Sequence, residues 1–298
     1  MLNRREWLTL AANGLLTVSA FPFARAADKP TRKKRVLMFT KSSGFEHSVI
    51  RRSKSDQLSH AEKIVTELGD KHGFEVVCTK DGRVFVPEEI EKYDAFFFYT
   101  TGDLTQPGTD KNPPMSPSGK KAFLEAIHQG KGFIGSHCAA DTFHSAGKRD
   151  ENQPLEKCDP YIQMLGGEFI SHGAQQKAAM RLVSRPFAAL QKLQDFELHE
   201  EWYALKNFAP DLHVILVQDT KGMQGAMYQR PPFPATWARF YGKGRVFYTS
   251  MGHREDVWTN TIFQTVLVAG ILWALREFDA DIRPNIQQVT PQAHILRS

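Results

Sequence analysis

The chain has 298 residues, 41% of them hydrophobic and 24% charged, an ordinary globular mixture that excludes a disordered, collagen-like or coiled-coil protein. Lys and Arg number 38 against 33 Asp and Glu, a net charge of +5; residues 1–26 carry three arginines and one glutamate, so only +3 is left on the rest. So small a charge, with one dense run at Arg32-Lys33-Lys34-Arg35, implies no nucleic-acid partner.

The amino end reads as an address. Arg4-Arg5-Glu6-Trp7-Leu8 precedes an apolar, small-residue run from Leu8 to Phe23, and Ala24-Arg25-Ala26 offers a small-x-small cleavage site before Ala27. These are the parts of a secretory signal peptide, and the paired arginines fit the twin-arginine type. Gly, Asn, Ser and Pro interrupt the run, which falls short of the ~20 apolar residues that span a bilayer. The expected organisation is a signal peptide over 1–26, a flexible linker over 27–34, one domain over 35–280 and a tail over 281–298. The mature protein is expected to be periplasmic or otherwise exported, with no membrane contact once the signal is cleaved.

Arg35–Thr40 is a short apolar run ending in Lys41-Ser42-Ser43-Gly44, a buried strand entering a loop. Leu58, Ala61, Ile64, Val65 and Leu68 follow at helical spacing, stopped by Gly69 and Gly73. Phe74–Thr79 is a second strand and Tyr93–Tyr99 a third, apolar on both faces as a central parallel strand is. Ser118–Gln129 reads as a helix and Gly132–Ser136 as a fourth strand, and this alternation predicts a parallel three-layer α/β sheet. Residues 142–160 are polar and read as a long loop. Ala178–Ser184, Leu212–Val217, Ala235–Tyr241 and Arg245–Ser250 are further strands, the last two joined by a hairpin turn at Gly242-Lys243-Gly244. Ile262–Leu275 is an apolar helix. Of three cysteines, Cys78 lies in a strand, whereas Cys138 and Cys158 could pair in an oxidising compartment or stay free.

Ligands of an open parallel sheet bind beyond the carboxyl ends of its strands. Ser43 and His47 follow the first strand, Asp103 the third, and His137, Cys138 and Asp141 the fourth. His172, Glu201 with Trp202 and Tyr203, and His253 follow later ones. Gly135-Ser136-His137-Cys138 is similar to the sharp strand-to-helix turn that presents a nucleophile, but here histidine holds the elbow and the thiol is one residue on. A histidine suits general base catalysis or metal ligation better than acyl transfer.

The ordered set of Phe39–His47, Lys131–Asp141, Leu165–Phe169, Glu200–Tyr203 and Tyr241–His253 resembles the ThuA-like (trehalose-utilisation) family over roughly residues 35 to 277. The resemblance implies a flavodoxin-like, class I glutamine amidotransferase-like three-layer sandwich with a mostly parallel sheet, histidine where those enzymes carry cysteine, and a role in carbohydrate utilisation. Two positions depart from the family pattern: Cys138 replaces a small residue and Glu200 replaces the usual Asp.

His137, His253, Glu201 and Asp141 are the candidate catalytic residues; Ser43, His47, Asp103, His172, Trp202 and Tyr203 are candidates for binding a small carbohydrate. Imidazole with carboxylate is what a borderline divalent ion selects, so His47, His137, Glu201 and His253 could hold zinc or manganese. Without a metal the same groups form an acid/base pair. The expectation is an enzyme, a hydrolase, lyase or isomerase of a sugar, glycoside or oxidised (keto) sugar. The alternatives are a non-catalytic sugar-binding protein and an amidotransferase-like hydrolase using Cys138. Whether the chain forms a homo-oligomer does not follow from the sequence.

Overall fold

The structure, a computed structural model, describes residues 32–297. The signal peptide and most of the linker read from the sequence lie outside the described residues. Eleven strands run in chain order: β1 (Arg35–Phe39), β2 (Glu75–Thr79), β3 (Ala95–Phe98), β4 (Gly132–Ser136), β5 (Glu168–His172), β6 (Gln176–Leu182), β7 (Phe196–Glu200), β8 (Tyr203–Lys206), β9 (His213–Asp219), β10 (Phe233–Tyr241) and β11 (Gly244–Thr249). The helices are α1 (His60–His72), α2 (Pro87–Ile90), α3 (Pro117–His128), α4 (Pro160–Leu165), α5 (Glu255–Trp258), α6 (Thr261–Ala274) and α7 (Ile286–Val289). None of the described helices is long and apolar enough to cross a membrane.

Nine strands form one sheet in the order β2-β1-β3-β4-β11-β10-β9-β6-β7, and β5 pairs with β8 in a separate ribbon. The first five are parallel to one another and the remaining pairs antiparallel, so only β10 and β6 run against the rest. The sheet is thus mostly parallel by direction, as the alternation predicts. Strand β3 is buried throughout, which explains its unbroken Phe96-Phe97-Phe98 run. The hairpin between β10 and β11 turns at Gly242, whose φ of 57° a two-residue loop requires of one central residue.

Helix α1 shows how local sequence sets an element. Ser59 and Glu62 form a reciprocal capping box at its start, and Gly73 at φ 86° ends it. Gly69, read above as a stop, lies inside the helix. A Cβ there would sit 2.8 Å from the Phe74 carbonyl oxygen, so this glycine permits close packing of α1 on the chain entering β2. The residues after 280 pack onto the molecule: Asn285 bonds the Val214 N–H and carbonyl, and Arg230 donates to the Ala293 carbonyl.

Strand β7 stands four places from β11 in the sheet. At ~4.8 Å per step a flat sheet would hold their ends about 19 Å apart. Glu200 at the end of β7 nevertheless accepts from the Gly252 N–H at 2.8 Å. The antiparallel half therefore curls back over the carboxyl rim, with register shifts in β10 at Pro234–Trp237 marking irregular pairing along the way. This curl places the site.

Candidate metal centre

His137 occupies the elbow. Strand β4 ends at the buried Ser136, and His137 follows at φ 45°, a left-handed conformation that costs a non-glycine residue roughly 1–2 kcal/mol. The surroundings hold it there: the Tyr248 hydroxyl donates to the His137 carbonyl at 2.8 Å, and Ser136 Oγ donates to the Met251 carbonyl at 2.8 Å. His137 Nδ1 lies 3.0 Å from the Ser250 carbonyl oxygen, which can only accept. Nδ1 therefore donates to that carbonyl, and Nε2 is the ring nitrogen left to face the other groups.

Nε2 of His137 faces the other donors. His253 Nδ1 is 3.2 Å from His137 Nε2 and 3.0 Å from Glu201 Oε2, and His137 Nε2 is 3.6 Å from the same oxygen. Two ligands of a tetrahedral ion with bonds of 2.0–2.1 Å are about 3.3 Å apart, inside this range. His47 completes the group, its ring centroid 5.1 Å from those of His137 and His253. One donor atom from each of the four residues lies within 4.8 Å of the others.

Burial and mutual contact shift two of the donors, His47 and Glu201. Burial first, and then the neighbouring His137 and His253 rings, push His47 well below the ordinary imidazole range. It is neutral, and its Nδ1 is buried without a hydrogen-bond partner, an arrangement that is costly unless something else meets the lone pair or proton. Burial alone would raise the Glu201 carboxyl, but the His137 and His253 imidazoles facing it hold it well below the usual carboxylate range. Three imidazoles, one of them with an unpartnered nitrogen, and one carboxylate fit a divalent ion of the zinc or manganese class.

Glu200 fixes the geometry from behind. Fully buried, it accepts the Gly252 and His253 N–H groups on Oε2 at 2.8 and 3.1 Å and the Glu201 N–H on Oε1 at 2.8 Å. One carboxylate thereby ties the segment carrying His253 to the segment carrying Glu201. The far oxygen of Glu201 lies 3.2 Å from Nδ1 of the half-exposed His172, so His172 borders the cluster without joining it.

The remaining sequence candidates sit elsewhere. Asp141 is drawn to His144 at 2.6 Å and Arg149 at 3.6 Å, outside the four-donor group. Asp103 Oδ1 accepts the Thr105 N–H and hydroxyl, a loop cap. The Ser43 N–H bonds the Thr101 carbonyl and helps to shape the loop leading to His47. Trp202 and Tyr203, expected to stack on a sugar, are buried: Trp202 donates to the Gln176 carbonyl, and the Tyr203 ring lies 4.0 Å from the His137 ring as its packing wall. Cys138 is also fully buried, and burial pushes its thiol well above the ordinary range, the opposite of an activated nucleophile. All three cysteines are free, so Cys138 and Cys158 do not pair. A cleft of about 760 Å³ lined by Lys34, Ile90, Ala126 and Lys131 opens at the amino ends of β1, β3 and β4, the wrong rim for this chemistry.

The clamping role of Glu200 escaped the sequence reading, which noted this acid before Glu201 only as a departure from the family's Asp; a partner so distant in sequence leaves no local spacing. Comparisons with known proteins bear on the fold and the family. The chain is similar to a ThuA-like protein from Bacteroides uniformis at 17% identity, with a TM-score of 0.58 over 84% of this chain and 94% of that one. A ThuA-like protein from Parabacteroides merdae matches at 15% identity, with a TM-score of 0.55 over 83% and 91%. At such identities the likeness is one of fold. No curated protein matches the chain. The family model described as trehalose utilisation matches residues 35–274, most of the chain, and the protein belongs to this ThuA family.

Proposed function

We propose that the chain is an enzyme acting on a sugar, glycoside or oxidised (keto) sugar, with a divalent metal held by His47, His137, Glu201 and His253. The observation that carries this reading is the convergence of four donors within 4.8 Å, with a buried His47 Nδ1 that no protein group satisfies. Membership of the trehalose-utilisation family supports the carbohydrate half. When bound, zinc or manganese supplies Lewis acidity to a sugar carbonyl or hydroxyl. The protein's own groups do the rest. The Ser250 carbonyl holds the His137 tautomer, Glu200 holds His253 and Glu201 in register, and His172 offers a half-exposed ring to a substrate hydroxyl. The paired arginines and the Ala24-Arg25-Ala26 site support export before the protein works.

Elemental analysis of the mature protein, followed by NMR of trehalose and of a keto-trehalose incubated with it, tests this reading. The expected result is about one divalent ion per chain and turnover of one sugar that stops on chelation. A metal-free protein after loading with zinc and manganese overturns the metal half, and sugar binding without turnover identifies an accessory protein instead.

A further inference from the structure

Phe45 is 66% exposed, while His47, two residues on, is 3% exposed. Single exposed apolar side chains are common on soluble proteins, so exposure alone carries no meaning. Position gives it one. The Phe45 ring stands edge-on to the His47 ring, centroids 5.0 Å apart and planes at 88°, on the outer side of a donor whose ring also meets His137 and His253. The other large exposed apolar residues among those described, Val86 and Phe240, lie at the entry to α2 and at the end of β10 away from this rim.

The loop that displays Phe45 is pinned. The Ser43 and Gly44 N–H groups donate to the Thr101 carbonyl at 2.8 and 3.2 Å, and the Thr101 hydroxyl donates to the Phe45 carbonyl at 2.9 Å. The Thr109 hydroxyl donates to the Gly44 carbonyl. A side chain held out by so constrained a backbone is a preorganised surface, and a ligand that uses it orders little on binding. Arg254, next in the chain to His253, donates to Gln175 Oε1 at 2.6 Å.

We propose that Phe45 is the platform on which a pyranose ring of the substrate stacks, so that the site selects closed-ring sugars over acyclic polyols; this rests on the carbohydrate reading above. A pyranose presents a face of C–H bonds and a rim of hydroxyls. The C–H face meets the electron-rich face of an aromatic ring, and the hydroxyl rim is left to polar groups and the metal site. Trp202 and Tyr203 cannot serve, being buried.

The test uses the mature chain with methyl α-D-glucopyranoside and trehalose as probes and sorbitol as the acyclic control, read by calorimetry and saturation-transfer NMR. Wild type should bind both pyranosides and not sorbitol. Phe45→Ala should weaken pyranoside binding about ten-fold with unchanged metal content, and Phe45→Trp should stay within about two-fold of wild type. Equal binding by Phe45→Ala, or sorbitol bound as well as the glucoside, overturns the platform and leaves the carbohydrate reading intact. A metal-loaded wild type that binds no pyranoside overturns both.

Discussion

Glu200 is a single carboxylate holding three N–H groups, and replacing one of its oxygens breaks the arrangement without removing bulk. Glu200→Gln turns one acceptor into a donor that faces an N–H. The expected cost is about 1–3 kcal/mol of stability, with metal affinity lower by about 10–100-fold as for other partners that orient ligands. Denaturant unfolding and metal titration of the same sample check both. At Cys138 the expectation is the reverse. Its thiol is buried and pushed up, with His137 at the elbow, so Cys138→Ala should keep metal and turnover at a stability cost of about 1 kcal/mol. A loss of turnover matching that of His137→Ala would restore the thiol mechanism.

At the scale of elements, the site depends on loops held at the ends of strands. Gly102, at φ 74°, lies against the loop before His47, and a Cβ there would stand 2.7 Å from the Gly44 nitrogen. Gly102→Ala should displace that loop and weaken metal binding as well as stability. Gly73→Ala is the control: its φ is 86° but a Cβ meets nothing within 4 Å, so it should cost only the roughly 1–2 kcal/mol of left-handed strain and leave metal binding unchanged. Much at this scale was legible in the sequence. Apolar runs marked β1, β3, β4 and β11, and each donor follows a strand. The curl that returns β7 to the rim was not legible, because alternation reports which face is buried and not how far a sheet bends. For the same reason Trp202 and Tyr203 were assigned to the ligand when they line the interior, and Phe45 carried no sign of its exposure.

For the molecule as a whole, acid should act through a second cluster, outside the donor group. Glu168 faces His144 at 3.3 Å, the Ser145 N–H at 2.9 Å and Asn207 at 2.8 Å. Burial would raise its carboxyl, but these donors hold it down at about 2. A depressed acid contributes stability that is complete above its unfolded value of 4.5 and is lost as pH falls toward about 2. On the order of 3 kcal/mol should therefore fade between about pH 5 and pH 2, and Glu168→Gln should flatten that limb in unfolding curves. His144 works in the other direction. Burial opposes its charge, but Asp141 and Glu168 raise it, so its contribution is present in acid and fades as pH climbs through the raised value.

The metal site is the centre of this account, and X-ray absorption at the metal edge of zinc- or manganese-loaded protein tests it most directly. The account predicts only nitrogen and oxygen neighbours, at about 2.0–2.1 Å for zinc, with outer-shell scattering from three imidazoles that falls to two in His47→Ala. Sulfur at about 2.3 Å, or a spectrum without imidazole scattering, would contradict it.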